Sequence, residues 1–105
     1  MNKLNIYVDR ILAGVLVQVS DQEYSFEYEP NYKLAPISLT IPVRESIYNF
    51  DQFPSALEGL LPEGIMLDLL LKKFKIDRSD LFSQLALVGS DLVGNLTVEK
   101  VSNNE

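Results

Sequence analysis

The sequence contains no cysteine and no histidine. The first absence excludes a disulfide framework and any thiolate metal site. The second removes the commonest zinc ligand, the general base best suited to neutral pH, and every Ser-His or Cys-His nucleophile pairing. Basic charge is scarce too: 9 Lys and Arg stand against 15 Asp and Glu, for a formal net charge of −6. Affinity for nucleic acid comes largely from cations that neutralise phosphates, so this balance disfavours DNA or RNA binding by the chain alone. Long apolar runs are missing as well. No stretch approaches the roughly 18 uncharged residues of a membrane span, and Asp9 and Arg10 break the N-terminal segment before a signal-peptide core can form. A cytoplasmic protein is the expectation.

What remains is the composition of a folded domain: 105 residues, 47% hydrophobic and 23% charged. A chain this long buries roughly two-thirds of the surface its unfolded form exposes, enough for its own core. Residues 1–105 therefore read as one domain, with no repeat, linker or low-complexity tract. Pro30 to Pro36 reads as a surface loop and not a boundary, since thirty residues on one side cannot bury a core.

Leu4, Ile6 and Val8 alternate with Asn5, Tyr7 and Asp9, and a valine-rich run follows from Leu12 to Val19; the pair predicts a hairpin turning near Asp9-Arg10. Tyr24, Phe26 and Tyr28 share one face of a third strand, expected to be the buried one. Pro36 and Pro42 bracket a further extended stretch, Ile37 to Ile41, so the first forty residues read as a β-meander. The period then changes. Phe50, Phe53, Leu57, Leu60 and Leu61 recur every three to four residues, predicting a short helix from about Phe53 to Leu60 with Pro54 in its first turn. A second helix is expected from Pro62, at the first helical position with Glu63 beside it, to about Lys75; Lys72, Lys73 and Lys75 fall in its last turn. Ser79 is placed as the cap of a third helix, Asp80 to Val88, closed by a left-handed Gly89. Leu92 to Val101 returns as a strand, and Ser102 to Glu105 reads as a frayed end. The class is α+β: an antiparallel sheet, or a partial barrel, packed with about three short helices.

No constellation of reactive groups emerges. Gly89-Ser90-Asp91-Leu92-Val93-Gly94 lacks the Gly-Lys-Ser/Thr ending of a phosphate loop and reads as a tight turn. The paired acids Asp77 and Asp80, and Glu23, Glu27 and Glu29, read as solvated surface, and Asp77 to Asp80 lacks the alternating ligands and glycine of a calcium loop. The expectation is a non-enzyme with no cofactor and no metal. One segment exceeds its structural needs. Ile65, Met66, Leu67, Leu69, Leu70, Leu71 and Phe74 spread over roughly 240° of a helix, against a little over 100° for packing one face. Either the helix is sandwiched between sheet and neighbouring helix, or part of the arc and the elbow before it, Leu60-Leu61-Pro62-Glu63-Gly64, form an exposed patch for a partner. Ile65 and Met66 are the residues expected outside the core.

Four segments carry a resemblance: Gly14-Val15-Leu16, Ile37-Ser38-Leu39-Thr40-Ile41-Pro42, Leu60-Leu61-Pro62-Glu63-Gly64, and Val88-Gly89-Ser90-Asp91-Leu92-Val93-Gly94-Asn95-Leu96. In this order and spacing the chain resembles the N-terminal subdomain of HipA-like serine/threonine kinases, which also occurs free-standing as the HipS-type antitoxin of HipBST toxin-antitoxin systems. The resemblance implies a partner, a shortened HipT-like toxin kinase, and a HipB-like helix-turn-helix protein that carries DNA binding in a ternary complex. It implies an antitoxin that neutralises the kinase by docking near its active site through Leu61, Pro62, Glu63, Gly64, Ile65 and Met66. The alternative is a structural subdomain, a fragment of a longer kinase needed for folding or assembly. Tryptophan often follows the elbow glycine in this family; here Ile65 stands there, filling less of a pocket and offering no N–H donor.

Overall fold

Leu4, Ile6 and Val8 are buried and their alternate neighbours are not, as the period-two pattern of β1 (Asn2–Val8) requires. Residues 2–92 and 94–101 are described by the computed structural model, so Val93 and the expected frayed end, Ser102 to Glu105, lie outside the described residues. The chain turns through Asp9 and Arg10, both with positive φ (50° and 69°), the two-residue turn whose twist matches a hairpin, and enters β2 (Ile11–Gln18). Ile6 pairs with Gly14 but Tyr7 with Leu12, so Ala13 is the extra residue of a β-bulge. The bulge brings Ala13 and Gly14 together onto the buried side.

β3 (Tyr24–Tyr28) supplies the aromatic layer of the core, all three rings facing in. Phe26 lies across Gly14: a Cβ at position 14 would stand 2.6 Å from the tip of the Phe26 ring and 2.3 Å from the Glu27 carbonyl oxygen. Tyr24 packs edge-on against Phe53 and stacks with Phe82. Tyr28 reaches furthest. Its hydroxyl accepts from the Ile37 N–H at 3.1 Å and donates to the Ile41 carbonyl, fixing the following loop.

That loop is where the meander expectation fails. Ile37 to Ile41 is a turn closed by an isolated Ser38–Ile41 bridge and not a strand. With prolines on both flanks its backbone groups turn to Tyr28 and to each other. The fourth strand is instead β4 (Ile47–Phe50), paired with β3 through Phe26–Tyr48 and Tyr24–Phe50. Phe50 belongs to this strand and not to the helical pattern that follows. The sheet order is β4-β3-β2-β1-β5, antiparallel and open, with β5 (Leu96–Lys100) returning beside β1. It is not closed into a partial barrel.

Helix α1 is short, Ser55–Glu58, with Pro54 before its first turn, and Leu57 is its buried residue. Beyond it the N–H groups of Leu60 and Leu61 bond back three residues, so no further α turn forms. Helix α2 runs Gly64–Phe74 and starts two residues later than expected, leaving Pro62 outside and Glu63 as its cap residue. Lys72 and Lys73 close it, and Lys75 takes a left-handed conformation past its end. Helix α3 (Leu81–Val88) is capped by Asp80, whose carboxylate accepts from the Ser83 N–H at 3.1 Å; Ser79 does not cap it. Gly89 is right-handed, with φ −57°, and opens a 3-10 turn to Asp91. A glycine is needed there for closeness, not for handedness, since a Cβ would lie 2.2 Å from the Val98 carbonyl oxygen.

The two kinds of glycine give opposite expectations. Gly14→Ala should cost roughly 2–4 kcal/mol in urea unfolding, because backbone and a buried ring must move. Gly59→Ala, with nothing within 4 Å of the new carbon, should change stability by less than about 0.5 kcal/mol. Burial holds the Tyr28 hydroxyl above its ordinary value of 10.0, offset in part by the Ile37 N–H. A raised pKa contributes stability in full below pH about 10, lost as pH rises through the folded value. Alkaline titration should therefore unfold the protein progressively above pH about 10, and Tyr28→Phe, though less stable at neutral pH, should lose less per pH unit there.

Candidate protein-docking site

The elbow begins in the core and ends in solvent. Leu61 is buried, Leu60 half-buried against the core, and Pro62 half-buried, while Glu63 and Gly64 are exposed. Gly64 takes a positive φ of 60° with open space around it, which lets the chain reverse into α2 without a side chain in the way. Of the six residues singled out in the sequence, Leu61 anchors the segment and Pro62 bridges. Glu63, Gly64, Ile65 and Met66 project.

Helix α2 has no buried residue, and none of its side chains belongs to the half-buried set packed on the core. Ile65 is 74% exposed, Met66 65%, Leu69 60% and Phe74 46%. Leu67, Leu70 and Leu71 are half-buried. The helix is thus not sandwiched. Leu67 borders the cleft toward α1 and α3, and Ile65, Met66 and Leu69 share an outer face, Leu69 lying four positions from Ile65 and three from Met66. Leu69 was not among the expected contact residues. The spacing of four from Ile65, which was expected outside the core, is the signal that points to it.

Two clefts lie beside α2. One, of about 540 Å³, sits under the elbow between α1, α2 and α3, bordered by Glu58, Leu61, Glu63, Leu67 and Arg78. The other, about 340 Å³, is more apolar and lies at the far end, bordered by Phe74, Ile76, Phe82, Ala86 and Leu87. The connection from α2 to α3 is held by Gln84, itself buried, whose amide donates to the carbonyls of Asp77 and Arg78 at 3.2 and 3.0 Å. Asp68 on α2 meets Arg78 at 2.5 Å, but with both side chains more than half exposed this pair contributes at most about 1 kcal/mol. Among the described residues no group of acidic side chains is arranged to hold a metal ion, and no helix is long and apolar enough to cross a membrane.

An open antiparallel sheet and three helices, one of which, α2, is apolar and has no buried residue, define an α+β module. The model of the HipA N-terminal domain family matches residues 4–99, and the chain belongs to that family. The match is to the N-terminal subdomain and not to the kinase catalytic domain. An uncharacterized protein of Haemophilus influenzae is 27% identical over 85 residues, covering 81% of this chain and 80% of that one. A solved N-terminal domain of HipA toxin superposes with a TM-score of 0.78 at 23% identity, over 99% of this chain and 96% of that one. A chain of the Shewanella oneidensis MR-1 toxin-antitoxin complex of HipA, HipB and operator DNA gives 0.69 at 20% identity over 97% of this chain. This chain spans 24% of that one.

Because Ile65 and Met66 are largely exposed and lie outside the core, replacing both with Asp should leave the thermal unfolding midpoint within about 2 °C of wild type. A large drop would mean that the two side chains support the fold.

Proposed function

We propose that this protein is an antitoxin-type regulator that binds a HipA-type serine/threonine toxin kinase, of the HipT kind, through the elbow and the outer face of α2. The observation that carries the reading is an eleven-residue helix with no buried residue, presenting Ile65, Met66 and Leu69 from a glycine elbow in a HipA N-terminal domain. Apolar side chains held in water at a fixed place have a favourable burial still to gain, and a partner surface supplies it. In the Shewanella complex the matching domain is part of a chain about four times longer, so a HipA kinase region is the natural occupant of this face.

The mechanism is steric. The elbow and α2 lie over the kinase near its nucleotide or substrate cleft, with an apolar centre and a rim containing Asp68, Lys72 and Lys73, and hinder closure or access. Ile65 stands where an indole is common and fills less of any pocket it enters, so covering the cleft contributes more than plugging it. The chain itself performs no chemistry, works in the cytoplasm, and leaves DNA contact to a HipB-like partner, as its charge of −6 suits. A second reading is favoured by the 24% share of the Shewanella chain: a structural subdomain that completes a kinase without restraining it.

The two separate in one assay. A HipA-type kinase core is purified and its autophosphorylation followed with and without the chain. Restraint of the kinase supports the antitoxin; unchanged or increased activity supports the subdomain. In calorimetry Ile65→Asp with Met66→Asp should raise Kd about tenfold or more, and unaltered affinity would remove the elbow from the interface.

A further inference from the structure

Leu39 is 92% exposed, the most exposed large hydrophobic side chain among the described residues, yet it does not sit on a loose loop. Ile37 and Ile41, two residues away on either side, are both core residues. Between them the turn is closed by the Ile41 N–H on the Ser38 carbonyl at 3.0 Å and the Thr40 N–H on Ser38 Oγ at 3.2 Å. The hydroxyls of Ser38 and Thr40 meet at 3.0 Å. The Tyr28 hydroxyl binds both ends of the turn from below. A single exposed leucine is ordinary. One displayed on a turn locked from the core is pre-ordered, and a contact made there costs little further conformational entropy.

Beside the turn a cleft of about 240 Å³ is bordered by Thr40, Ile41, Asp51, Phe53 and Ser55. Ser55 also borders the larger cleft under the elbow. The Leu39 turn, the start of α1 and the elbow therefore edge one continuous surface. Its clefts carry three carboxylates, Asp51, Glu58 and Glu63, against the single cation of Arg78.

We propose that Leu39 is a second anchor for the partner that covers the elbow: a protein face with an apolar socket for one leucine side chain and basic residues between that socket and the α2 contact. This rests on the docking reading above and adds a site that reading does not contain. The kinase would be gripped at two separated points, which fixes its orientation as one helix face alone does not.

The chain has no cysteine, so Leu39→Cys introduces a unique thiol. Its alkylation, read by mass on this chain with and without the kinase core, should slow when the complex forms. Leu39→Asp should weaken kinase binding about tenfold or more with an unchanged melting temperature, and Leu39→Met should restore most of it. Wild-type affinity in Leu39→Asp, with Ile65→Asp and Met66→Asp still impaired, overturns the second anchor and leaves the elbow standing. No kinase binding by the unmodified chain removes both. Slowed alkylation that depends only on the concentration of this chain assigns Leu39 to a self-contact and likewise overturns the proposal.

Discussion

Three aromatic side chains on one five-residue strand organise this molecule. Phe26 of β3 is wholly buried and is seated over a position where only hydrogen fits, so the centre of the sheet is set by the Phe26–Gly14 contact. On one side Tyr24 engages Phe53 and Phe82, tying the approach to α1 and the body of α3 to the same sheet face. On the other, Tyr28 packs with Phe26, Tyr32 and Tyr48 and holds the Ile37–Ile41 turn by its hydroxyl. Aromatic pairs of this kind contribute about 0.5–1.5 kcal/mol each beyond the area they bury. Their larger effect here is positional, because each ring fixes a different element against the same strand.

The covered sheet face has room for only part of the apolar sequence. Phe53, Leu57 and Leu61 from the α1 region, Phe82 and Leu85 from α3, and Tyr32, Ile37 and Ile41 from the long loop already fill it. The opposite face mixes Asn5, Glu27, Thr97 and Glu99 with Tyr7, Val15, Val17 and Ile47, none of them buried. Helix α2 is left over, connected to the core through Leu61 at one end and the Gln84-bound loop at the other. Its exposure follows from the geometry of a small domain with one usable face. The same economy displays Leu39, because the turn spends its two isoleucines on the core and can only point the residue between them outward.

The hairpin, the third strand and the three helices were legible in the sequence, since period two in Leu4–Val8 and Tyr24–Tyr28 and the apolar arc after Gly64 are strong local signals. β4 was not. Ile47, Tyr48 and Phe50 have strand character, but Phe50 also fits the helical spacing to Phe53 and Leu57, and four residues give too little pattern to choose. Ile37–Ile41 misled in the opposite way: its composition is that of a strand, and what makes it a turn is the Tyr28 hydroxyl nine residues earlier in the chain. Gly89 was read for handedness when its reason is the nearness of β5, a contact no local pattern reveals. At the site, the sequence located the surplus of apolar side chains on α2 and the elbow that presents them. It marked Ile65 and Met66 as lying outside the core, as they do, but grouped the anchoring Leu61 with them as a contact residue, left Leu69 in the arc without assigning it to the outer face, and gave no sign of Leu39. Which part of an apolar arc meets water depends on what the rest of the chain has already covered.

Amide hydrogen exchange of the chain, free and bound to the HipA-type kinase core, tests most directly the claim that α2 is uncovered and kept for a partner. The account predicts fast exchange along 64–74 in the free protein, well ahead of β1 and β2, and marked slowing there in the complex. Slow exchange of α2 in the free protein, or no change on adding the kinase, would contradict it.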